Sequence, residues 1–220
     1  ILGSLTTSAA GCVVNDLWDR NLDPKVERTR TRPLASRELS VKVGMIVAIV
    51  AFACAAGLAF YLNQVSFFLC VLAVPVIICY PLAKRVFPVP QLVLSIAWGF
   101  AVLISWTAIT CDGQSEVPWN LTACIGQDTW LLWGATILWT LGFDTVYAMA
   151  DREDDRKIGI RSSALFFGQY APEAVGLFFL GSAGALAVLA FKTNLQLTFW
   201  FTRGVAVIGW AWQYYRLRQP

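Results

Sequence analysis

Seven apolar stretches alternate with polar connections along the chain. They cover residues 1–14, 43–62, 65–83, 91–110, 129–150, 172–191 and 195–215. All but the first approach the roughly 20 residues with which an α-helix crosses a bilayer. The first is long enough only if its helix continues through the acidic run that follows it. The pattern predicts an all-α fold, a polytopic transmembrane helical bundle of about seven helices.

The composition agrees with a membrane protein. Hydrophobic residues make up 57% of the 220 positions and charged residues 14%, whereas soluble domains carry about 25% charged residues. No stretch is polar enough to form a separate soluble domain, so we expect residues 1–220 to form a single transmembrane domain. The chain has no histidine, which argues against the common zinc sites.

The basic residues indicate how the bundle is oriented. Fifteen of the seventeen Lys and Arg residues lie on alternate connections between the apolar stretches. By the positive-inside rule, the face that carries them is cytoplasmic, and both acidic runs of the chain lie on this face. Arg203 instead falls inside the last apolar stretch, where the sequence offers it no partner; a helix boundary that excludes it is the alternative.

The first acidic run, residues 15–23, carries Asn15, Asp19 and Asp23 at four-residue spacing. In a continuous helix these side chains lie on one face. Carboxylates placed in this way repel each other unless a cation lies between them, and oxygen ligands select Mg²⁺ or Ca²⁺ over softer metals. The run therefore predicts a divalent metal site.

The second acidic run, residues 144–155, also places its carboxylates at helical spacing. Asp144, Asp151 and Asp155 are offset by seven and by four positions, which also places them on one helical face. Two such stripes at the same edge of a membrane suggest a shared site in which bridging metal ions hold a diphosphate. The alternative for each run is a charged, solvated loop beside a membrane helix.

Two other classes of protein use carboxylates in related ways. A transporter or cation channel binds its ion with intramembrane carboxylates, near the midplane and on interrupted helices, whereas here the acids cluster at one edge beside basic loops. A soluble isoprenyl diphosphate synthase also carries paired Asp-rich motifs, and the seven apolar stretches argue against it.

A long connection, residues 111–128, lies on the opposite face. Cys111 and Cys124 are close enough in sequence to form a disulfide if that compartment is oxidising. Asn120 begins an Asn-Leu-Thr triplet of the glycosylation type, a pattern so short that chance is the better explanation.

In three segments the chain resembles the UbiA-type intramembrane prenyltransferases. Residues 11–36 resemble their first signature, residues 144–162 the second, and Tyr80-Pro81-x-x-Lys84-Arg85 the short basic signature between them. The motifs Arg-Pro-Leu-Ala-Ser and Asp-x-x-Tyr-Ala-x-x-Asp favour the 4-hydroxybenzoate branch of that family. Family members have nine transmembrane helices, so the resemblance implies that helices two to eight are present and that the first and last are missing.

The resemblance implies a reaction. A polyprenyl chain is transferred from its diphosphate to the ring carbon ortho to the hydroxyl of 4-hydroxybenzoate, with Mg²⁺ as cofactor, on the way to ubiquinone or plastoquinone. Another aromatic acceptor, such as homogentisate, is the alternative. The implied partners are polyprenyl diphosphate, an aromatic acid and the lipid bilayer, with no nucleic acid and no obligate protein partner. The implied location is a bacterial plasma membrane, with the site facing the cytoplasm.

The resemblance also implies roles for individual residues. Those implied in catalysis are Asp19, Asp151 and Tyr147, and those implied in metal binding are Asn15, Asp16, Asp19, Asp23, Asp151 and Asp155. Those implied in substrate binding are Lys84, Arg85, Arg20, Arg28, Arg32, Asp144 and Asp154.

Each kind of residue also has a purely structural interpretation. Lys84 and Arg85 equally suit an anchor pair at the cytoplasmic interface, and Tyr147 suits the aromatic belt of a membrane protein. The arginines of the first loop suit a solvated basic connection. Asp16, Asp144 and Asp154 are either direct ligands or groups that orient the other ligands.

Overall fold

The structure is a computed structural model, and it describes residues 1–111 and 124–219. Across these residues it contains helices and turns and no strand, which confirms the predicted all-α fold. The seven long helices of this part of the chain are α1 (Leu2–Asp19), α2 (Val41–Ala59), α3 (Gln64–Cys79), α5 (Pro90–Thr110), α6 (Gln127–Ala150), α9 (Ala171–Lys192) and α10 (Leu197–Leu217).

Short helical segments lie between the long helices at one end of the bundle. They are α4 (Ala83–Val86), α7 (Arg152–Ile158), α8 (Ser163–Phe167) and the 3₁₀ turns Asp23–Lys25, Tyr80–Leu82 and Gly168–Tyr170. The seven long helices coincide with the seven predicted apolar stretches. Asn120 lies outside the described residues.

Both acidic runs break their helices, and here the prediction of continuous helical stripes was wrong. α1 continues through Asn15 but ends at Asp19, and Asp23 begins a separate 3₁₀ turn with Pro24 behind it. Proline has no N–H and its ring clashes with the carbonyl four residues earlier, which disfavours a continuous helix through Asp23. α6 likewise ends before Asp151, and Asp155 lies on the separate helix α7.

In the described part of the chain, four helical segments are long and apolar enough to cross a membrane. They are Val41–Ala59, Gln64–Val86, Pro90–Thr110 and Ser163–Lys192. α1, α6 and α10 are 18, 24 and 21 residues long, which at about 1.5 Å per residue is enough to span the hydrocarbon core, but they are more polar. The protein is an integral membrane protein.

α6 is the central helix of the bundle. It packs against α5 on one side and α9 on the other, while α3 packs on α5 and α10 on α9. α1 packs mainly on α2, and it meets the end of α3 through the 3₁₀ turn Tyr80–Leu82. Since the chain runs up and down, the C-terminal ends of α1, α3 and α6 meet at one end of the bundle.

Close helix contacts depend on small residues. A Cβ atom at Gly142 of α6 would lie 2.8 Å from the ring of Phe179 on α9, and one at Gly99 of α5 would lie 2.6 Å from Nε1 of Trp133 on α6. Phe179 is buried and stacks on Trp210, with ring centroids 5.0 Å apart. In lipid, such close packing drives helix association because burial of apolar surface gives little advantage there.

Arg203 has a partner that the sequence did not reveal. Its guanidinium donates to the carbonyl of Ala183 on α9, with Nη2 3.0 Å from the oxygen, and it lies 5.6 Å from the ring centroid of Trp200. These contacts satisfy a charge that is costly inside a membrane helix.

Cys111 and Cys124 form a disulfide, with Cα atoms 5.3 Å apart. It joins the end of α5 to the approach of α6, on the face opposite the acidic runs.

We predict that Gly142→Ala destabilises the bundle by about 1–3 kcal/mol, since the added methyl group overpacks a buried aromatic contact. The matched control is Gly134→Ala on the same helix, where a Cβ would meet nothing within 4 Å. Both substitutions gain the same helix propensity, so the difference between their unfolding midpoints in detergent isolates the clash. Equal midpoints would contradict the close approach of α6 and α9.

Candidate active site

A cavity of about 220 Å³ lies at the end of the bundle where α1, α3 and α6 finish. Residues from both acidic runs and from the basic segment around Lys84 line it together. Of the residues singled out from the sequence, those on its wall are Asn15, Asp19, Asp23, Arg28, Arg32, Lys84, Asp144, Tyr147, Asp151 and Asp155. The structure thus brings together residues that are up to 140 positions apart in the chain.

Asp19 and Lys84 form the innermost ion pair of the site. Asp19 is the last residue of α1 and is fully buried, and Lys84 donates to its Oδ2. The turn Tyr80–Leu82, with Pro81 in its first positions, ends α3 and directs Lys84 toward α1. The other oxygen of Asp19, Oδ1, is buried and has no hydrogen-bond partner.

Asp23 is held by its own loop. Arg32 Nη1 lies 3.3 Å from Asp23 Oδ2 and 2.8 Å from Asp16 Oδ1, so one guanidinium joins two carboxylates. Thr29 donates its hydroxyl to the backbone carbonyl of Asp23 over 3.1 Å. Burial raises the pKa of Asp23 above its ordinary value, and this outweighs the opposite effect of Arg32.

Arg28 connects the two acidic runs. Its guanidinium lies 2.5 Å from Asp151 Oδ2 and 5.6 Å from the ring centroid of Tyr147. The hydrogen bond with Asp151 raises the pKa of Arg28, so the guanidinium stays charged. Beside this pair, the backbone N–H of Glu27 donates to Asp154 Oδ2 over 3.2 Å. The first loop is therefore attached directly to the second.

Asp155 lies on α7, whose end is set by a glycine. Gly159 adopts a left-handed conformation with φ of 77°, and the N–H groups of Gly159 and Ile160 both donate to the carbonyl of Asp155. This is the conformation that glycine adopts without strain at the end of a helix. Burial raises the pKa of the Asp155 carboxyl to about 6.

Arg161 and Gln91 are two of the wall residues that had no role assigned from the sequence. The backbone N–H of Arg161 donates to the carbonyl of Lys84 over 2.8 Å, and its guanidinium donates to the carbonyl of Val86. Gln91 accepts from the N–H of Ser163 over 2.8 Å. Together these contacts dock the loop after α7 on the segment that carries Lys84 and on the start of α5. Arg161 belongs to the second motif, but its role depends on a contact that no sequence pattern shows.

Four of the residues singled out lie outside the wall of the cavity. Arg85 Nη2 donates to the carbonyl of Trp18 over 2.9 Å, and Arg20 contacts the carbonyl of Leu17 over 3.4 Å. Asp16 pairs with Arg32, and Asp154 accepts from Glu27. Their roles in metal or substrate binding stay predictions.

The carboxylates are arranged around the cavity rather than in one cluster. In residues 1–111 and 124–219, no group of three acidic or cysteine side chains is close enough to hold a metal ion without rearrangement. The physical reason is that Asp19, Asp23 and Asp151 each have a cationic partner. The site therefore holds both signs of charge, and a metal would take carboxylates that are now paired with Lys or Arg.

We predict that Lys84→Met lowers the free energy of unfolding by about 3–5 kcal/mol, since it leaves the buried Asp19 carboxylate without its cation. The second change Asp19→Asn removes that charge and should restore most of the loss.

The control is Lys157→Met, whose ammonium is exposed and lies 3.6 Å from Asp154; it should change stability by less than about 0.5 kcal/mol. Chemical denaturation in detergent gives the free energies of unfolding of the unchanged protein, the two single variants and the double variant. A Lys84→Met protein as stable as the control would show that the pair is unimportant for folding.

Comparison with known proteins shows where this fold and site occur. The model of the UbiA prenyltransferase family matches residues 1–220. A 4-hydroxybenzoate solanesyltransferase of Synechocystis sp. is 63% identical over 219 of the 220 residues of this chain, and the match covers 71% of that protein. A 4-hydroxybenzoate octaprenyltransferase of Shewanella baltica is 37% identical over 90% of this chain and 65% of that protein.

Two solved structures share the fold. The apo structure of a UbiA homologue from Aeropyrum pernix K1 covers 98% of this chain and 78% of its own, with a TM-score of 0.87 and 24% identity. A UbiA homologue from Archaeoglobus fulgidus, bound to GPP and Mg²⁺, covers 97% of this chain and 73% of its own, with a TM-score of 0.69 and 20% identity. The family prediction is confirmed: the chain belongs to the UbiA prenyltransferase family.

Proposed function

We propose that this protein is a 4-hydroxybenzoate polyprenyltransferase, which moves a polyprenyl chain from its diphosphate to the ring carbon ortho to the hydroxyl of 4-hydroxybenzoate in the presence of Mg²⁺. The observation that carries this proposal is the single cavity on which both acidic motifs and Lys84 converge. The 4-hydroxybenzoate prenyltransferases among its relatives support the choice of acceptor.

The residues of the cavity fit a magnesium-bound diphosphate. Mg²⁺ prefers oxygen ligands and uses few carboxylates, and it completes its shell with water and phosphate. Asp19 Oδ1 is a buried oxygen on the cavity wall without a partner. The residues that would hold the metal are Asn15, Asp19 and Asp23 from the first motif with Asp151 and Asp155 from the second. Bound Mg²⁺ would neutralise charge on the leaving diphosphate.

Lys84, Arg28 and Arg32 are suited to the phosphate oxygens. Each is paired with a carboxylate that a metal would take, so metal binding would release the cation for the substrate. Charged hydrogen bonds from Lys and Arg to phosphate are among the stronger ones in proteins. The carboxylates alone would repel a diphosphate, and the paired arrangement removes that repulsion.

The isoprenyl chain needs an apolar route that begins at the cavity. Trp139, Phe143 and Tyr147 follow one face of α6 at four-residue spacing, with adjacent ring centroids 5.2 and 5.0 Å apart. All three are exposed, and Tyr147 also lines the cavity. This aromatic stripe would guide the isoprenyl chain from the cavity along the bundle. The ring of Tyr147, over which Arg28 now lies, would stabilise an allylic cation through its face.

The location of the acids favours an enzyme over a transporter. Asp19 ends α1 and Asp151 follows the end of α6, so the charges lie at the edge of the bundle rather than on interrupted helices near its middle. By the positive-inside rule this edge faces the cytoplasm, and the membrane is a bacterial plasma membrane. We treat residues 1–220 as one prenyltransferase domain.

We predict that Asp19→Asn and Asp151→Asn each reduce Mg²⁺-dependent transfer by at least about 100-fold. Each substitution removes a carboxylate that would hold the Mg²⁺ ion, and the metal is what would neutralise the negative charge that builds up on the diphosphate. Membrane insertion should be unchanged. The assay follows labelled 4-hydroxybenzoate into lipid extracts of membranes that contain the protein.

Asp128→Asn is the control, since Asp128 pairs with Lys192 at the opposite end of α6. Near-normal turnover in either of the two site variants would defeat the metal assignment.

We predict that 4-hydroxybenzoate is the preferred acceptor when it competes with homogentisate in the same membranes. Mixtures of allylic diphosphates of several lengths, analysed by mass spectrometry of the products, give acceptor and chain preference together. Faster prenylation of homogentisate would assign the protein to another acceptor within the same reaction class.

A further inference from the structure

Trp18 lies beside Asp19 at the end of α1, and two hydrogen bonds join it to the segment that carries Lys84. Its indole Nε1 donates to the carbonyl of Ile78 over 2.9 Å. Its own carbonyl accepts from Nη2 of Arg85 over 2.9 Å. The two bonds run in opposite directions, so each segment both donates to and accepts from the other. We call these two bonds the Trp18 clasp.

Both bonds satisfy backbone carbonyls at helix ends. α3 ends at Cys79, so the carbonyl of Ile78 is one of its last carbonyls, which have no partner within the helix. Pro81, three positions later, has no N–H that could reach it in a 3₁₀ turn. The carbonyl of Trp18 has the same place at the end of α1, and Arg85 brings a positive charge to the negative end of that helix dipole. Each helix end is therefore completed by a side chain from the other segment.

The clasp lies on both sides of the ion pair between Asp19 and Lys84. Trp18 precedes Asp19 in α1, and Arg85 follows Lys84 in α4. The cavity wall, as the described residues form it, includes none of Trp18, Ile78 and Arg85. The clasp therefore supports the pair from outside the cavity, and its atoms are not among those that a bound substrate would meet.

The ion pair is the contact that the proposed function removes. The metal would take Asp19 and Lys84 would turn to a phosphate oxygen, so α1 and the Lys84 segment would lose the attraction that joins them. A Mg²⁺ ion on Asp19 would also repel the ammonium of Lys84. Arg161 holds the same segment to the second loop, not to α1. The clasp involves no side chain that exchanges partners, so it would persist.

We propose that Trp18 is a positioning residue, which holds Lys84 at a fixed distance from the metal-binding end of α1 after the ion pair has opened. This inference rests on the proposed function. It adds the contact that keeps the metal-binding carboxylate and the phosphate-binding cation in register while the substrate is bound.

A tryptophan at a helix end also suits the aromatic belt of a membrane protein, and one substitution separates the two roles. The belt needs an aromatic ring, whereas the clasp needs the indole N–H, so Trp18→Phe keeps the first and removes the second. The matched control is Trp98→Phe on α5. Trp98 is 51% exposed, against 40% for Trp18, and it makes no hydrogen bond to the described residues.

The first experiment opens the ion pair without metal or substrate. The double change Asp19→Asn with Lys84→Met removes both charges, and hydrogen exchange in detergent follows the backbone amides of residues 82–87. In this background we expect Trp18→Phe to speed exchange at least about tenfold and Trp98→Phe less than about twofold. In the protein with an intact pair and no ligand, Trp18→Phe should speed it less than about threefold, because the pair still holds the segment.

The second experiment loads the site of the protein with an intact pair. With Mg²⁺ and inorganic diphosphate, Trp18→Phe should again speed exchange in residues 82–87 at least about tenfold. In membranes, KM for geranyl diphosphate should rise about tenfold, since a charged hydrogen bond to phosphate is misplaced. KM for 4-hydroxybenzoate should stay within about twofold and kcat within about threefold, because the lost contact serves binding of the diphosphate.

Three results would overturn the inference. Exchange in the pair-free background that is no faster in Trp18→Phe than in Trp98→Phe would show that the clasp holds nothing. Equally fast exchange in Trp18→Phe with the pair intact and open would make Trp18 a general helix cap. A fall in kcat with an unchanged KM for geranyl diphosphate would show that Lys84 is not what Trp18 positions.

Failure of the proposed function is recognised separately. If the unchanged protein binds no magnesium diphosphate, the proposed function fails and the positioning role of Trp18 with it. The exchange rates in the pair-free background do not depend on any ligand, so they still report whether the clasp joins the two segments.

Discussion

The structure depends on the pairing of buried and partly buried carboxylates with cations at one end of the bundle. Asp19 is fully buried at the end of α1 and is compensated by Lys84 from the segment after α3, and Asp151 is compensated by Arg28 from the loop after α1. A charge held in this way must have its partner, since a buried charge without one is among the most destabilising features of a protein. The pairs therefore fix the relative positions of three separate segments.

The same pairs explain how an acidic site can accept an anionic substrate. Carboxylates alone would repel a diphosphate and cations alone would repel a metal, whereas a cavity lined by paired charges is close to neutral before either arrives. In the proposed function each carboxylate would exchange a cation for the metal, and each cation would exchange a carboxylate for a phosphate oxygen. The number of opposite-charge contacts would then be kept, and no charge would be left unpaired in a region of low dielectric constant.

α6 connects this site to the membrane. Its close contacts with α5 and α9, made possible by Gly99 and Gly142, hold it rigidly in the centre of the bundle. Along its length it carries the aromatic stripe and Asp144, and at its end Asp151. One helix therefore connects the apolar length of the bundle with the charged cavity at its end.

The sequence by itself determined the all-α fold, the seven long helices, the placement of both acidic runs at the same end of the bundle and the family. These properties depend on local hydrophobicity, on charge counts and on short motifs, which are visible in a linear sequence. It did not determine that the helices stop at Asp19 and before Asp151, that Arg85 donates to the Trp18 carbonyl, or that Arg161 and Gln91 join the second loop to the Lys84 segment and to the start of α5. Only the tertiary structure decided those contacts and left Oδ2 of Asp144 without a hydrogen-bond partner, because a hydrogen bond between residues more than 60 positions apart depends on how the helices pack, and spacing along the chain carries no record of it.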